Sequence, residues 1–135
     1  MKKTIFTLAL CLATSLTFAQ TPVIDTTIKG VAAVRITPVK ASFQDTALST
    51  FLVCYVINDN LKNQAIFNWA LYLPAKDTAG NIIGLGPITN QGNYTMTPAQ
   101  YALWCHPEDC NTYPFLVIGQ AYGLTFPPVP STQKK

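Results

Sequence analysis

The chain has 135 residues, of which 11% are charged, with nine basic residues against six acidic ones and a single histidine. One domain's worth of length with 49% hydrophobic residues excludes a disordered chain and is enough to bury a core. Sparse charge, with Arg35 the lone arginine and no basic stripe, excludes the usual nucleic-acid binders.

The chain opens with Met1-Lys2-Lys3, runs apolar over residues 5–16, and reaches Thr17-Phe18-Ala19 before Gln20. A basic start, a short apolar centre and small residues ahead of a break make a secretory signal peptide. The apolar run is shorter than the roughly 20 residues that a spanning helix requires. Residues 1–19 are therefore read as a leader, with no membrane span expected in the mature chain. Lys2 and Lys3 leave with it, so the exported body is close to neutral. Cys11 lies within the leader. It is not read as lipidated, because Leu8-Ala9-Leu10 lacks the small residue that lipoprotein processing uses.

Residues 20–30 are polar and are read as a flexible lead-in, residues 31–126 as a single domain, and residues 127–135 as a disordered Pro- and Lys-containing tail. Residues 31–39 form a first strand, at a sheet edge because Pro38 cannot donate to a ladder. Residues 48–57 form the strongest strand, with Phe51, Val53, Tyr55 and Ile57 on one face and Leu52, Cys54 and Val56 on the other. Apolar character on both faces implies either a central strand covered on both sides or a strand whose outer face meets a partner. Residues 58–63 are a polar turn. Residues 64–73 follow as a strand whose Ala65, Phe67, Trp69, Leu71 and Leu73 face has the stronger claim to the core.

Asp77-Thr78-Ala79-Gly80-Asn81 reads as a hairpin loop in which Gly80 supplies a positive φ. Extended structure resumes at residues 82–85 and bends or bulges at Gly84, Gly86 and Pro87. Short strands at residues 88–89 and 94–96 are expected to flank a turn at Asn90-Gln91-Gly92-Asn93. Thr97-Pro98-Ala99-Gln100 is a helix start with a capping box, which predicts a helix over residues 98–104 with Tyr101 and Trp104 on one face. A second start at Thr112-Tyr113-Pro114 favours a helix over residues 115–122, stopped by Gly123 with Leu124 packing back. The competing reading makes residues 115–118 a strand. The fold class is mainly β, of α+β type: a small antiparallel sheet or sandwich of four to six strands with one or two short C-terminal helices.

The stretch from Thr95 to Trp104 resembles a pattern near the C-terminus of small phage and prophage proteins, where a hairpin leads to a short Tyr-x-x-Trp helix. An acidic loop and a last helix ending in a Gly-Leu-Thr-like sequence follow there. The counterparts are Asp77 to Asn81, Tyr101 to Trp104, Glu108-Asp109 and Gly123-Leu124-Thr125. The resemblance covers the last half of the mature chain and implies a small β-rich structural or accessory protein. The leader's Phe-Ala-Gln ending resembles those of Bacteroidetes-type bacteria, which implies export to the periplasm or beyond.

Chemistry-bearing residues concentrate in Cys105-His106-Pro107-Glu108-Asp109-Cys110. In an oxidising compartment Cys105 and Cys110 are read as a disulfide, with unpaired thiols or a metal site as alternatives. Cys54, inside an apolar strand, is read as a free and buried thiol. One histidine excludes sites built on two. No nucleophile elbow, phosphate loop or placed carboxylate pair is visible, so no catalytic, cofactor or metal residue is assigned and the protein is not read as an enzyme. Phe67, Trp69, Tyr72, Tyr94, Tyr101 and Trp104 are candidates for a glycan or peptide site, though core and cap account for most of them. Tyr55 and Tyr72 are the candidate interaction surface, for a protein partner or self-association.

Overall fold

A computed structural model describes residues 20–40, 47–104 and 112–128. Its strands are β1 (Ala33–Lys40), β2 (Leu48–Asp59), β3 (Ala65–Lys76) and β4 (Ile82–Thr95), followed by helices α1 (Pro98–Trp104) and α2 (Tyr113–Tyr122). The strands pair antiparallel in the order β1-β2-β3-β4, one open sheet in which every neighbour in sequence is a neighbour in space. The mainly β class with two C-terminal helices is as expected, and of the two architectures considered it is the single sheet.

Alternation in β2 and β3 decides the faces. Leu52 lies opposite Leu71 and Cys54 opposite Trp69, while Phe51 faces Tyr72 and Val53 faces Ala70. The first set belongs to the main core, built from Val34, Ile36, Leu52, Phe67, Trp69 and Leu71 of the sheet against Tyr101, Phe115, Val117, Ile118 and Phe126. The helices therefore lie on one face only. On the other face Ile28, Ala33, Phe51 and Val53 form a smaller buried cluster, with Tyr72, Ile82 and Leu85 against it. β2 is a central strand, one of the two readings its apolar faces allow, and its two faces are covered unequally.

The helix ends follow the local signals. The backbone N–H of Thr97 donates to Gln100 Oε1 at 2.9 Å and that of Gln100 to Thr97 Oγ1 at 3.3 Å, a reciprocal capping box. Tyr101 and Trp104 meet edge to face with centroids 5.8 Å apart. α2 is a helix, not the alternative strand. It ends at Gly123 (φ 67°), and the N–H of Leu124 donates to the Gly119 carbonyl at 2.8 Å. Gly119, unfavourable inside a helix, sits where a Cβ would meet Phe126 Cζ at 2.7 Å. Helix propensity yields there to close packing of the C-terminal segment.

One expectation is overturned. Asn90-Gln91-Gly92-Asn93 is not a turn but part of the continuous 14-residue β4. These residues pair one for one with Leu71, Ala70, Trp69 and Asn68. Asn68 donates a side-chain hydrogen bond to Asn93 at 3.1 Å, and Gly92 leaves room for the Trp69 indole, whose Cζ2 would stand 3.0 Å from a Cβ there. Cross-strand pairing outweighs turn propensity. The irregularities expected near Gly84, Gly86 and Pro87 are present as register shifts along the first half of β4 in its ladder with β3.

Residues 20–30, expected as a loose lead-in, make specific contacts. Ile24 bridges to Val34, Pro22 and Ile28 are buried, and Asp25 pairs with Arg35. Residues 1–19, read as a leader, and residues 129–135 of the expected tail lie outside the described residues.

Candidate interaction surface

Past Cys54, β2 loses cover on both faces. Tyr55 is 57% exposed, and Val56 and Ile57 are about half exposed. The β2–β3 register shifts between Val56 and Asn58, so Ile57 occupies a bulge, a device that re-aims side chains at a strand end. Leu61, at the tip of the hairpin, is 82% exposed and has φ of 56°. A leucine in the left-handed region is uncommon, because its Cβ crowds the following carbonyl.

The tip is held by its polar residues. Asn60 Oδ1 accepts from the N–H groups of Lys62, Asn63 and Gln64, each at 3.0 Å. Asp59 Oδ1 accepts the Leu61 N–H at 2.8 Å and the Tyr101 hydroxyl at 2.8 Å. The second bond ties the tip to α1. Leu61 is thus presented outward on a braced turn, and the end of the sheet it caps is apolar on both faces, with Tyr55 on one and Val56 on the other.

Tyr55 and Tyr72 share the face opposite the helices but are not brought together. Tyr72 lies opposite Phe51 and packs on the smaller cluster, whereas Tyr55 lies opposite Asn68, nearer the hairpin tip. Val56, Ile57 and Leu61 were not singled out from the sequence. A lone leucine inside a polar turn was the available signal. The expected Cys105–Cys110 disulfide and residues 106–109 lie outside the described residues.

The aromatic candidates for a ligand site are mostly internal. Phe67, Trp69 and Tyr101 are buried, Phe67 packs against Trp104 at 5.2 Å, and Trp69 against Tyr122 at 4.4 Å. Cys54 carries a free thiol on the helix-covered face. Burial pushes its pKa up to about 12, so it is not a thiolate nucleophile at neutral pH.

A second feature lies where the lead-in crosses β1. Arg35 Nε and Nη2 both donate to Asp25 Oδ2, at 2.9 and 2.6 Å, and Asp25 Oδ1 accepts from the Thr27 N–H and hydroxyl. The Arg35 guanidinium also sits 5.5 Å from the centre of the Phe51 ring. Burial raises the Asp25 pKa, but the Thr27 hydrogen bonds and the Arg35 hydrogen bonds and charge outweigh it, leaving the carboxyl below its ordinary value. A cleft of about 460 Å³ opens beside the pair, toward Phe126 and Pro127. Among its described lining residues the two charges neutralise each other, leaving an apolar groove with no free ion to orient a ligand.

Among the described residues no group of three or more His, Cys, Asp or Glu is placed to hold a metal, and no helix is long and apolar enough to cross a membrane. Comparison with protein-family models, with curated proteins and with solved structures finds no match.

Proposed function

We propose that this is an exported, non-enzymatic interaction protein that docks a protein partner through the apolar end of the β2–β3 hairpin. The observation that carries the reading is Leu61, exposed in a left-handed conformation and braced by Asp59 and Asn60 beside Tyr55, Val56 and Ile57. Backbone strain held in place by a dedicated hydrogen-bond set is a pattern of functional sites. Clustered exposed apolar side chains mark interaction surfaces. The leader supports export to the periplasm or the cell exterior. A structural or accessory role is in keeping with the resemblance of the Tyr101–Trp104 region to small phage proteins. The glycan reading draws less support, because Phe67, Trp69 and Tyr101 are committed to the core.

A photoreactive residue at Ile57 or Leu61, introduced in producing cells, tests this. It is expected to yield a discrete covalent adduct that the same probe at Thr78, in the opposite turn, does not form. The absence of any adduct specific to positions 57 and 61 would overturn the reading.

A further inference from the structure

The two edges of the sheet are treated differently. The outer edge of β1 is closed by the chain itself. Asp25 donates its N–H to the Ala33 carbonyl at 2.8 Å, and Thr37 donates its N–H to the Thr125 carbonyl at 2.8 Å. The hydroxyls of Thr125 and Thr37 add a third contact at 2.8 Å. β4 is the other edge, and among the described residues no backbone hydrogen bond from it reaches beyond β3. Two further bonds reach its backbone: the Tyr122 hydroxyl donates to the Asn93 carbonyl at 3.3 Å, and the Gln91 N–H donates to Asn90 Oδ1 at 2.9 Å.

Long open edges are normally blunted by charge, proline or bulges. β4 carries Pro87 and the register shifts in its first half. Its second half carries no such protection. Residues 90–95 pair one for one with residues 66–71 without a shift, and no residue of β4 is charged. The edge groups that these two side-chain bonds leave unpaired are satisfied by another extended strand, which is the chemistry of β-strand addition.

We infer that residues 90–95 of β4 pair antiparallel with the same residues of a second copy of this chain, joining two four-stranded sheets. A twofold axis sets residue i of one copy against residue j of the other and j against i, so the edge must complement itself. Asn90, Gln91, Asn93 and Thr95 carry amides and a hydroxyl, each donor and acceptor at once, so identical strands complement one another. A neutral strand also escapes the like-charge repulsion that identical charged edges impose. Tyr94 and Tyr122, with ring centroids 6.5 Å apart, flank the edge on the helix side and add aromatic area to the contact. Six residues a side make a small interface, so the dimer is of the weak and reversible class. The inference goes beyond the docking role proposed above and uses a different surface.

Light scattering on the purified protein, across the micromolar to millimolar range, is expected to show reversible dimerisation. Gln91→Lys with Thr95→Lys, both at exposed positions, sets like charges against each other across the twofold axis. It is expected to weaken the dimer roughly tenfold or more, while Thr26→Lys with Thr78→Lys, the same added charge elsewhere, leaves it intact. In the unaltered chain, amide exchange over residues 90–95 is expected to slow as concentration rises, a readout that needs no variant to fold. A chain that stays monomeric throughout, a dimer indifferent to the β4 lysines, or exchange independent of concentration would overturn the inference. A dimer abolished by Leu61→Lys and not by the β4 pair would place the second copy on the hairpin end, refuting β4 pairing and leaving the docking reading standing.

Discussion

The two faces of the sheet draw on similar side chains and meet different fates. On the helix-covered face Leu52, Phe67 and Trp69 are sealed by α1, α2 and Phe126. On the opposite face Phe51 and Val53 are buried, yet two residues further along the same strand Tyr55 stands exposed. Cover, not composition, sets the difference. The C-terminal helices span one face, while the lead-in residue Ile28 and the β4 residues Ile82 and Leu85 shield only part of the other. A strand apolar on both faces thus serves as core at one end and as surface at the other.

The sharpest test of this comparison pairs Phe67→Ala with Tyr55→Ala. Phe67 is 3% exposed and its loss is expected to cost about 3–5 kcal/mol in urea unfolding. Tyr55→Ala is expected to stay within about 0.5 kcal/mol of the parent. Equal losses would mean that the open face is as deeply packed as the covered one.

The packing of the C-terminal segment onto α2 is tested by Gly119→Ala. A new Cβ meets the Phe126 ring, an overpacking cost of about 1–3 kcal/mol, against which helix propensity returns up to about 1 kcal/mol. A net loss near 1 kcal/mol is expected in thermal melts, and a gain would show that Phe126 does not seal the covered face. Thr97→Ala removes one arm of the α1 capping box and is expected to cost about 1 kcal/mol, measured by the same melts. No loss would mean that tertiary packing alone holds α1 against the sheet.

The contribution of the lead-in is smaller and depends on pH. The folded pKa of Asp25 lies below its unfolded value, so the pair adds stability above the unfolded value and loses it as pH falls through the folded one. Arg35 is 46% exposed, which limits the effect to under about 1 kcal/mol. Asp25→Asn is expected to flatten that part of the acid limb in melts carried from above the ordinary carboxylate value down through and below it. An unchanged acid limb would mean that the pair does not fasten the lead-in.

The smallest expected effect has the opposite sign. Leu61→Asn relieves a left-handed leucine and is expected to raise stability by about 0.5 kcal/mol while reducing the photo-adduct formed from Ile57. Stability gained with adduct retained would separate the strain at the tip from docking.

Local chemistry wrote much of this fold legibly. The capping box at Thr97 and Gln100, the αL stop at Gly123, the hairpin at Asp77 to Gly80 and the alternation of residues 65–71 each depend on neighbours in sequence, and each stands in the structure as read. Residues 90–93 misled for the same reason: Asn, Gln and Gly favour a turn by themselves, and only β3 alongside makes them a strand. The candidate surface was half legible: alternation put Tyr55 and Ile57 on one face of the strand, but it marked neither Leu61 nor the bulge at Ile57. Their exposure depends on where the helix layer stops and on a bulge at the end of the ladder. The helices with their caps, the Asp77 hairpin and the inward faces of β2 and β3 follow from the chain read locally, because propensity, capping and periodicity act within a few residues. Which face of β2 is covered, which sheet edge is closed and which apolar residues reach the surface depend instead on contacts between segments far apart in the chain, and the folded arrangement alone sets them.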